Sequence, residues 1–221
     1  MKTSIVIPQY KHMNLLHQVL FDLYQYCRED IDEVIVVDDY SEDKDLDEYY
    51  FQGMMVKKLP VTVIKKVEHE GFLKASNVGM REASGDIVVL LSNDVRVKDN
   101  IVKQIKETLA ETPKAIIGNR FIIFDTGWNR FDGIIFPYIE GWLIACHKMY
   151  WEELGGFDEQ FAPNDYEDID FSTNARRFGF TLIGLKNEKV FHLGAQSLGY
   201  NPERESITNQ NREKFRKKWL G

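Results

Sequence analysis

Val34-Ile35-Val36-Val37-Asp38-Asp39 is an unbroken apolar, β-branched run that stops on two carboxylates. A strand with apolar side chains on both faces is covered on both faces, as in a parallel sheet flanked by helices. The signature returns at Ile87-Val88-Val89-Leu90-Leu91, which is followed by Ser92-Asn93-Asp94. Shorter strand patterns fall at residues 4–7, stopped by Pro8, and at 61–64. Helical stretches separate them. Asn14 opens one in which Leu15, Leu16, Val19, Leu20, Leu23 and Tyr24 share a face, and a polar, acidic one covers about residues 41–52. Residues 73–83 read as a third, broken by Ser84-Gly85; Asp99 caps a fourth that aligns Ile101, Val102, Ile105 and Leu109. Strands alternating with helices predict an α/β fold with a mostly parallel central sheet and helices on both faces.

From about residue 114 the rhythm changes. Apolar runs at 115–117, 121–124, 134–136 and 143–145 are separated by Gly, Asn and Asp. A helix at 148–154, a Gly155-Gly156 break, a helix over 168–178 and strands at 182–185 and 190–192 follow. The end is polar, and Arg212 to Lys218 holds five basic residues and one acid, which reads as a solvated helix end. No repeat, low-complexity tract or dividing linker is visible. The expectation is one domain over 1–221, with halves at about 1–112 and 113–200 and a tail at 201–221, and no room for a membrane anchor.

The 28 Lys plus Arg against 35 Asp plus Glu leave a net charge of −7, which argues against a general nucleic-acid binder. Hydrophobic residues at 43% and charged ones at 29% exclude a disordered chain. Cys27 and Cys146 lack metal-type spacing, so a reducing compartment and two small buried hydrophobes are expected. The N-terminal apolar run is too short for a signal peptide, and no stretch reaches the roughly 18 apolar residues of a transmembrane segment. The expected location is therefore cytoplasmic, with any membrane contact peripheral.

In an open α/β sheet, ligands bind beyond the carboxyl ends of the strands. The two most apolar strands both deliver carboxylates there, Asp38-Asp39 and Asp94. A turn or helix cap explains either cluster alone; two at one edge point to a site. No Gly-x-x-x-x-Gly-Lys or Gly-x-Gly-x-x-Gly loop is present, and the first strand leads instead into Pro8-Gln9-Tyr10-Lys11. A nucleoside diphosphate would lack a glycine cradle, and a divalent cation is the natural substitute, with oxygen ligands such as Asp94 suiting Mg²⁺ or Mn²⁺. A third acidic cluster, Asn164-Asp165-Tyr166-Glu167-Asp168-Ile169-Asp170, precedes a helix. Capping accounts for Asp165 and Asp170, whereas one of the adjacent carboxylates Glu167 and Asp168 is placed to reach a cleft as a general base. His192, alone at a strand end, reads as a hydrogen-bonded structural residue.

Taken in order, these pieces resemble glycosyltransferase family 2, with its GT-A fold. The resemblance runs through Ser4-Ile5-Val6-Ile7-Pro8, Val34 to Ser41, Gly71-Phe72-Leu73-Lys74-Ala75-Ser76-Asn77-Val78-Gly79 and Ala83-Ser84-Gly85-Asp86. It continues through Leu90 to Asp94, Gly155-Gly156-Phe157-Asp158, Glu167 to Asp170 and Val190-Phe191-His192, covering roughly residues 3–197. It implies that Pro8 and Tyr10 border the nucleotide. By the same likeness Asp39 accepts from uracil N3–H beside Asp38, and Lys74, Asn77 and Asn93 lie near ribose and diphosphate. Asp94 and His192 correspond to metal ligands, Asp168 of the Glu167-Asp168 pair to the general base, and Glu140 and Trp142 to sugar or acceptor contacts, core packing being the rival for Trp142. Two departures stand out: Ser92 replaces the first aspartate of the metal motif, and Tyr40 replaces the glycine that usually follows the aspartate pair.

The resemblance implies an inverting transferase that moves a sugar from a nucleoside-diphosphate donor, UDP favoured and dTDP not separated from it, to an acceptor hydroxyl with Mn²⁺ or Mg²⁺ assisting. The acceptor is open between a glycan, a lipid-linked sugar, a protein and a modified DNA base. A nucleotide-sugar-binding module with impaired turnover is the alternative that Ser92 raises. A sugar nucleotidyltransferase ranks low because its glycine-rich loop is missing.

Overall fold

The computed structural model describes residues 1–41, 59–194 and 201–221; the helix expected over about 41–52 lies, beyond Ser41, outside the described residues. Strands β1 (Thr3–Gln9), β2 (Glu33–Asp38) and β3 (Val61–Lys65) run parallel, and β4 (Ile87–Leu91) pairs parallel on the other side of β1. A short strand β5 (Val95–Val97) follows directly. The later strands are β6 (Ala115–Gly118), β7 (Phe121–Ile122), β8 (Arg130–Phe131), β9 (Ile134–Ile135), β10 (Tyr138–Ile139), β11 (Leu143–His147), β12 (Thr181–Gly184) and β13 (Val190–His192). Among the described residues the central sheet has seven strands in the order β12-β6-β11-β4-β1-β2-β3. Its single reversed member, β11, runs antiparallel to β4 and β6. The order turns back between β1 and β4, where such sheets open a ligand crevice.

Helices α1 (Met13–Cys27) and α3 (Ile101–Glu111) cover one face, and α2 (Phe72–Glu82), α4 (Lys148–Leu154) and α5 (Glu167–Arg177) the other. The alternation along β1 and β2 explains the two-sided apolar run. Ile5, Ile7, Val34 and Val36 join the α1 side, while Val6, Ile35 and Val37 join the other, where Trp151, Phe157 and Phe171 form an aromatic centre. Gly79 of α2 sits where a Cβ would come within 2.4 Å of Val6 and 2.8 Å of Val37, so helix and sheet meet at a contact only glycine permits. Cys27 and Cys146 are buried and unpaired, and burial pushes their thiols up to about 11 and about 12.

Three local expectations change. Pro8 does not stop β1, which continues to Gln9; β4 pairs only as far as Val6, so Pro8 lies where β1 has one neighbour and its missing N–H is tolerated. The cap of α3 is Asn100, whose side chain accepts from the Lys103 amide, while Asp99 accepts from Asn187 and Gln104. The basic end is no solvated stub. Helix α6 (Pro202–Leu220) lies back on the domain: Phe215 is fully buried, and Asn211 donates to the carbonyls of Phe161, Asn164 and Asp165. Arg212 donates to the carbonyls of Gly127, Trp128 and Arg130, and Lys218 bridges Asp158 and Asp170.

Candidate active site

A cleft of about 730 Å³ opens beyond the carboxyl ends of β1, β2 and β4. Among the described residues, eight acidic side chains line it against one arginine, Arg204, and two histidines, His69 and His192. Such a wall repels an anionic ligand unless a cation comes with it.

On one side, Pro8 and Tyr10 border the cleft, and Tyr10 stacks on His69 with ring centroids 3.9 Å apart. Asp39 follows β2 directly and is buried, yet its carboxylate is fully engaged. It accepts from Lys66 Nζ at 2.5 Å, the Glu70 amide at 3.1 Å and the Gly71 amide at 2.6 Å, and meets His69 Nδ1 at 2.7 Å. This set ties residues 66–71 to the sheet edge. Gly71 has φ +92 and lies so close to Pro163 that a Cβ would sit 2.3 Å from it, so only glycine can bring its amide to Asp39.

Three residues expected at the nucleotide do not line the cleft. Asp38 accepts from the backbone amide and hydroxyl of Ser41, and burial raises its pKa. Lys74 forms a half-buried ion pair with Glu70 at 2.7 Å. Asn77 is buried and clamps Phe157, donating to its carbonyl at 2.8 Å and accepting from its amide at 3.0 Å. Each of these side chains is bonded to a neighbouring loop or helix. Asn93 does line the cleft and donates to Gln9 Oε1 at 2.7 Å.

The floor is built by a ribbon. β5 pairs antiparallel with β13, setting His192 opposite Val95 and therefore beside Asp94. His192 Nε2 lies 2.8 Å from Asp94 Oδ1, and Ser92 Oγ donates to the same oxygen at 2.6 Å. The Trp142 indole stacks on His192 at 5.6 Å and donates to Glu140 at 2.8 Å, so Trp142, itself buried in the core, also joins Glu140 in the cleft wall. Among the described residues no three His, Cys, Asp or Glu side chains converge on one point. One carboxylate and one imidazole facing an acid-rich cleft fit a hard cation such as Mn²⁺ or Mg²⁺ that takes its remaining ligands from phosphate oxygens and water.

Opposite stands the N-terminus of α5. Asp168 is half-buried; its Oδ2 accepts from the Gly141 amide at 3.0 Å and its Oδ1 from the Ile169 amide at 2.8 Å. Burial pushes its carboxyl up to about 7, the two amides oppose the rise, and the charges of Asp165 and Glu140 add to it. Glu167 is buried, with Oε2 lacking a hydrogen-bond partner. Desolvation first and the Asp168 charge second hold its carboxyl well above the usual range. Burial thus holds both carboxyls of the pair above the ordinary range. Each Asp168 oxygen still has a lone pair for an incoming hydroxyl.

Sequence reasoning missed Lys66, His69 and the contribution of α6. Lys66 and His69 lie in a loop without periodicity. Arg204, which reaches the cleft, pairs with Asp165 at 2.9 Å.

A model of glycosyl transferase family 2 matches residues 4–178. Among curated proteins, a Macaca fascicularis protein named inactive polypeptide N-acetylgalactosaminyltransferase-like protein 5 is 22% identical over 86% of this chain and 50% of its own length. The dolichol-phosphate mannosyltransferase of Pyrococcus furiosus is 28% identical over 55% of this chain and 34% of its own. The chain thus spans half or less of these relatives. Among solved structures, GalNAc-T7 with UDP, GalNAc and Mn²⁺ superposes with TM-score 0.77 at 15% identity, covering 99% of this chain and 48% of that one. The Pyrobaculum calidifontis mannosyltransferase PcManGT with GDP-Man and Mn²⁺ gives 0.66 at 22% identity, covering 83% and 54%. At these identities the structural likeness is one of fold.

Proposed function

The chain belongs to glycosyl transferase family 2 and has the GT-A fold, and from that premise we propose that it transfers a sugar from a nucleoside-diphosphate donor to an acceptor hydroxyl with inversion at the anomeric carbon. The observation that carries this reading is Asp168, fixed by two backbone amides in the same cleft as Asp94 and His192, with a carboxyl poised at about 7. A base poised near the working pH accepts a proton efficiently and is worth roughly 10²–10⁴ in rate.

The acceptor oxygen attacks the anomeric carbon as the bond to the β-phosphate oxygen breaks. Its proton passes to Asp168, and the electron pair of the broken bond leaves on the diphosphate. Asp94 and His192 would hold a divalent cation, which when bound neutralises charge on the diphosphate. The solved relatives whose names include Mn²⁺ beside a nucleotide support that choice, with Mg²⁺ as the alternative. The base of the nucleotide lies against Tyr10. Its N3–H meets Asp39 in place of His69, the most exposed of the side-chain donors on that carboxylate. This reading favours uridine.

Asp168→Asn is expected to abolish transfer while calorimetry shows unchanged nucleotide affinity, and NMR of the product is expected to show an inverted anomeric centre. A retained configuration removes the base role, as does full activity of the variant. A second reading, a nucleotide-sugar-binding module with impaired turnover, is favoured by Ser92 standing where the family carries a carboxylate, and by the relative named inactive. Donor binding with neither transfer nor hydrolysis would select it.

A further inference from the structure

A second cavity of about 750 Å³ lies outside the donor cleft, between the 126–128 turn and the first turns of α6. Asn201 and Arg204 line both spaces, so the two are contiguous. Tyr166, in the wall of the second cavity, is two residues from Asp168. The second cavity therefore adjoins the cleft that holds the proposed base.

Its chemistry is selective. Trp128 is 41% exposed and sets its indole beside the Tyr166 ring at 6.3 Å. Among the described residues the rest of the lining is Asn, Thr, Arg, Glu, Gly and Pro, with no Leu, Ile, Val, Met or Lys. A lipid chain would need aliphatic walls, and the described lining supplies none. A polyphosphate backbone would need uncommitted positive charge. Here Arg204 is paired with Asp165, and Arg212 donates to the Gly127, Trp128 and Arg130 carbonyls and to the Tyr166 hydroxyl. An aromatic plate surrounded by amides and hydroxyls suits a neutral polyol, which stacks its C–H face on the ring and hydrogen-bonds at its edge.

We propose that this cavity is the acceptor subsite and that the acceptor is a saccharide chain, stacked on Trp128 and contacted by Asn209, whose terminal hydroxyl enters the donor cleft at Asp168. This rests on the transferase reading and names its acceptor class.

The turn itself is fixed without the indole. Asn129 is fully buried, accepting from Thr126 and donating to the Phe124 and Phe136 carbonyls, so Trp128 can be changed without loosening its surroundings. The test is binding of the whole chain to a broad printed array of defined oligosaccharides, beside vesicles of phosphatidylcholine and phosphatidylglycerol. Saturable binding to a subset of glycans is expected, weakened about tenfold or more by Trp128→Ala and by Asn209→Ala, and partly kept by Trp128→Phe. Circular dichroism and thermal unfolding of the variants should match the parent. A silent array overturns the proposal, as does glycan binding indifferent to Trp128→Ala, or binding to vesicles alone. Array binding needs no turnover, so it reads the acceptor subsite without a donor or a transfer step. A working transferase with a silent array sinks this inference alone, and glycan binding beside a fully active Asp168→Asn sinks the catalytic reading alone.

Discussion

The Asp168→Asn variant should gain stability as it loses catalysis, and the gain should depend on pH. In the folded chain the Asp168 carboxyl sits at about 7 against 3.8 for an ordinary aspartate, chiefly because it is desolvated. The folded state thus binds this proton more tightly than the unfolded state does. The associated stability is complete below 3.8 and is lost as pH rises through about 7. The difference of about three units corresponds to about 4 kcal/mol given up by pH 8, taken as an upper bound. Asparagine carries no charge to desolvate. Its single carbonyl oxygen can accept from the Gly141 or the Ile169 amide but not from both, which costs about 1–1.5 kcal/mol. The net expectation at pH 8 is a gain of about 2–3 kcal/mol, or a Tm raised by roughly 5–10 °C for a chain of this size. At pH 5 the two terms nearly cancel, to within about 1 kcal/mol. Urea or thermal unfolding of both proteins at pH 5 and pH 8, with m-values compared, measures this. A stability difference equal at the two pH values refutes the reasoning, and so does a variant less stable at both.

Transfer by the parent protein should show an acid limb in kcat/KM near pH 7, since Asp168 works only when ionised. Glu140→Gln, which removes one of the charges raising Asp168, should move that limb to lower pH; a limb that stays put leaves the charge at 140 out of the account. Asp94→Ala should remove the Mn²⁺ dependence of UDP binding in calorimetry. Ser92→Ala, which loses only the hydroxyl bonded to Asp94, should weaken it by roughly 10–100-fold. Asn211→Ala should cost about 1–3 kcal/mol in denaturant unfolding, because three carbonyls beneath α6 lose their shared donor; an unchanged midpoint would show that water replaces the amide.

The sheet was readable because Val34–Val37 and Ile87–Leu91 are covered on both faces, and such strands carry an apolar signature no exposed element shares. Asp94, His192, Asp168, Tyr10 and Trp142 were found through the ordered likeness to a family, and the fold brings all five to one cleft. Asp38, Lys74 and Asn77 lie in the same motifs, but a motif does not say which of its side chains is committed to a neighbour. The packing of α6 was hidden for a different reason. Its face toward the domain is held by Asn211, Arg212 and Lys218 around the single fully buried Phe215, so no hydrophobic stripe marks it. The committed environment of Asp39 depends on Lys66 and His69, which reach it from a loop whose course no periodicity records.

The β5–β13 ribbon has a consequence for the order of assembly. Asp94 and His192 stand 98 positions apart in the chain, yet they touch through two three-residue strands. A ribbon that short cannot offset the entropy of closing so long a loop by itself. It depends on β6, β11 and β12, which hold residue 190 near residue 97. A cation bridging Asp94 and His192 would then act as a clasp on the finished sheet, and its dissociation would be the first local opening on the way to unfolding.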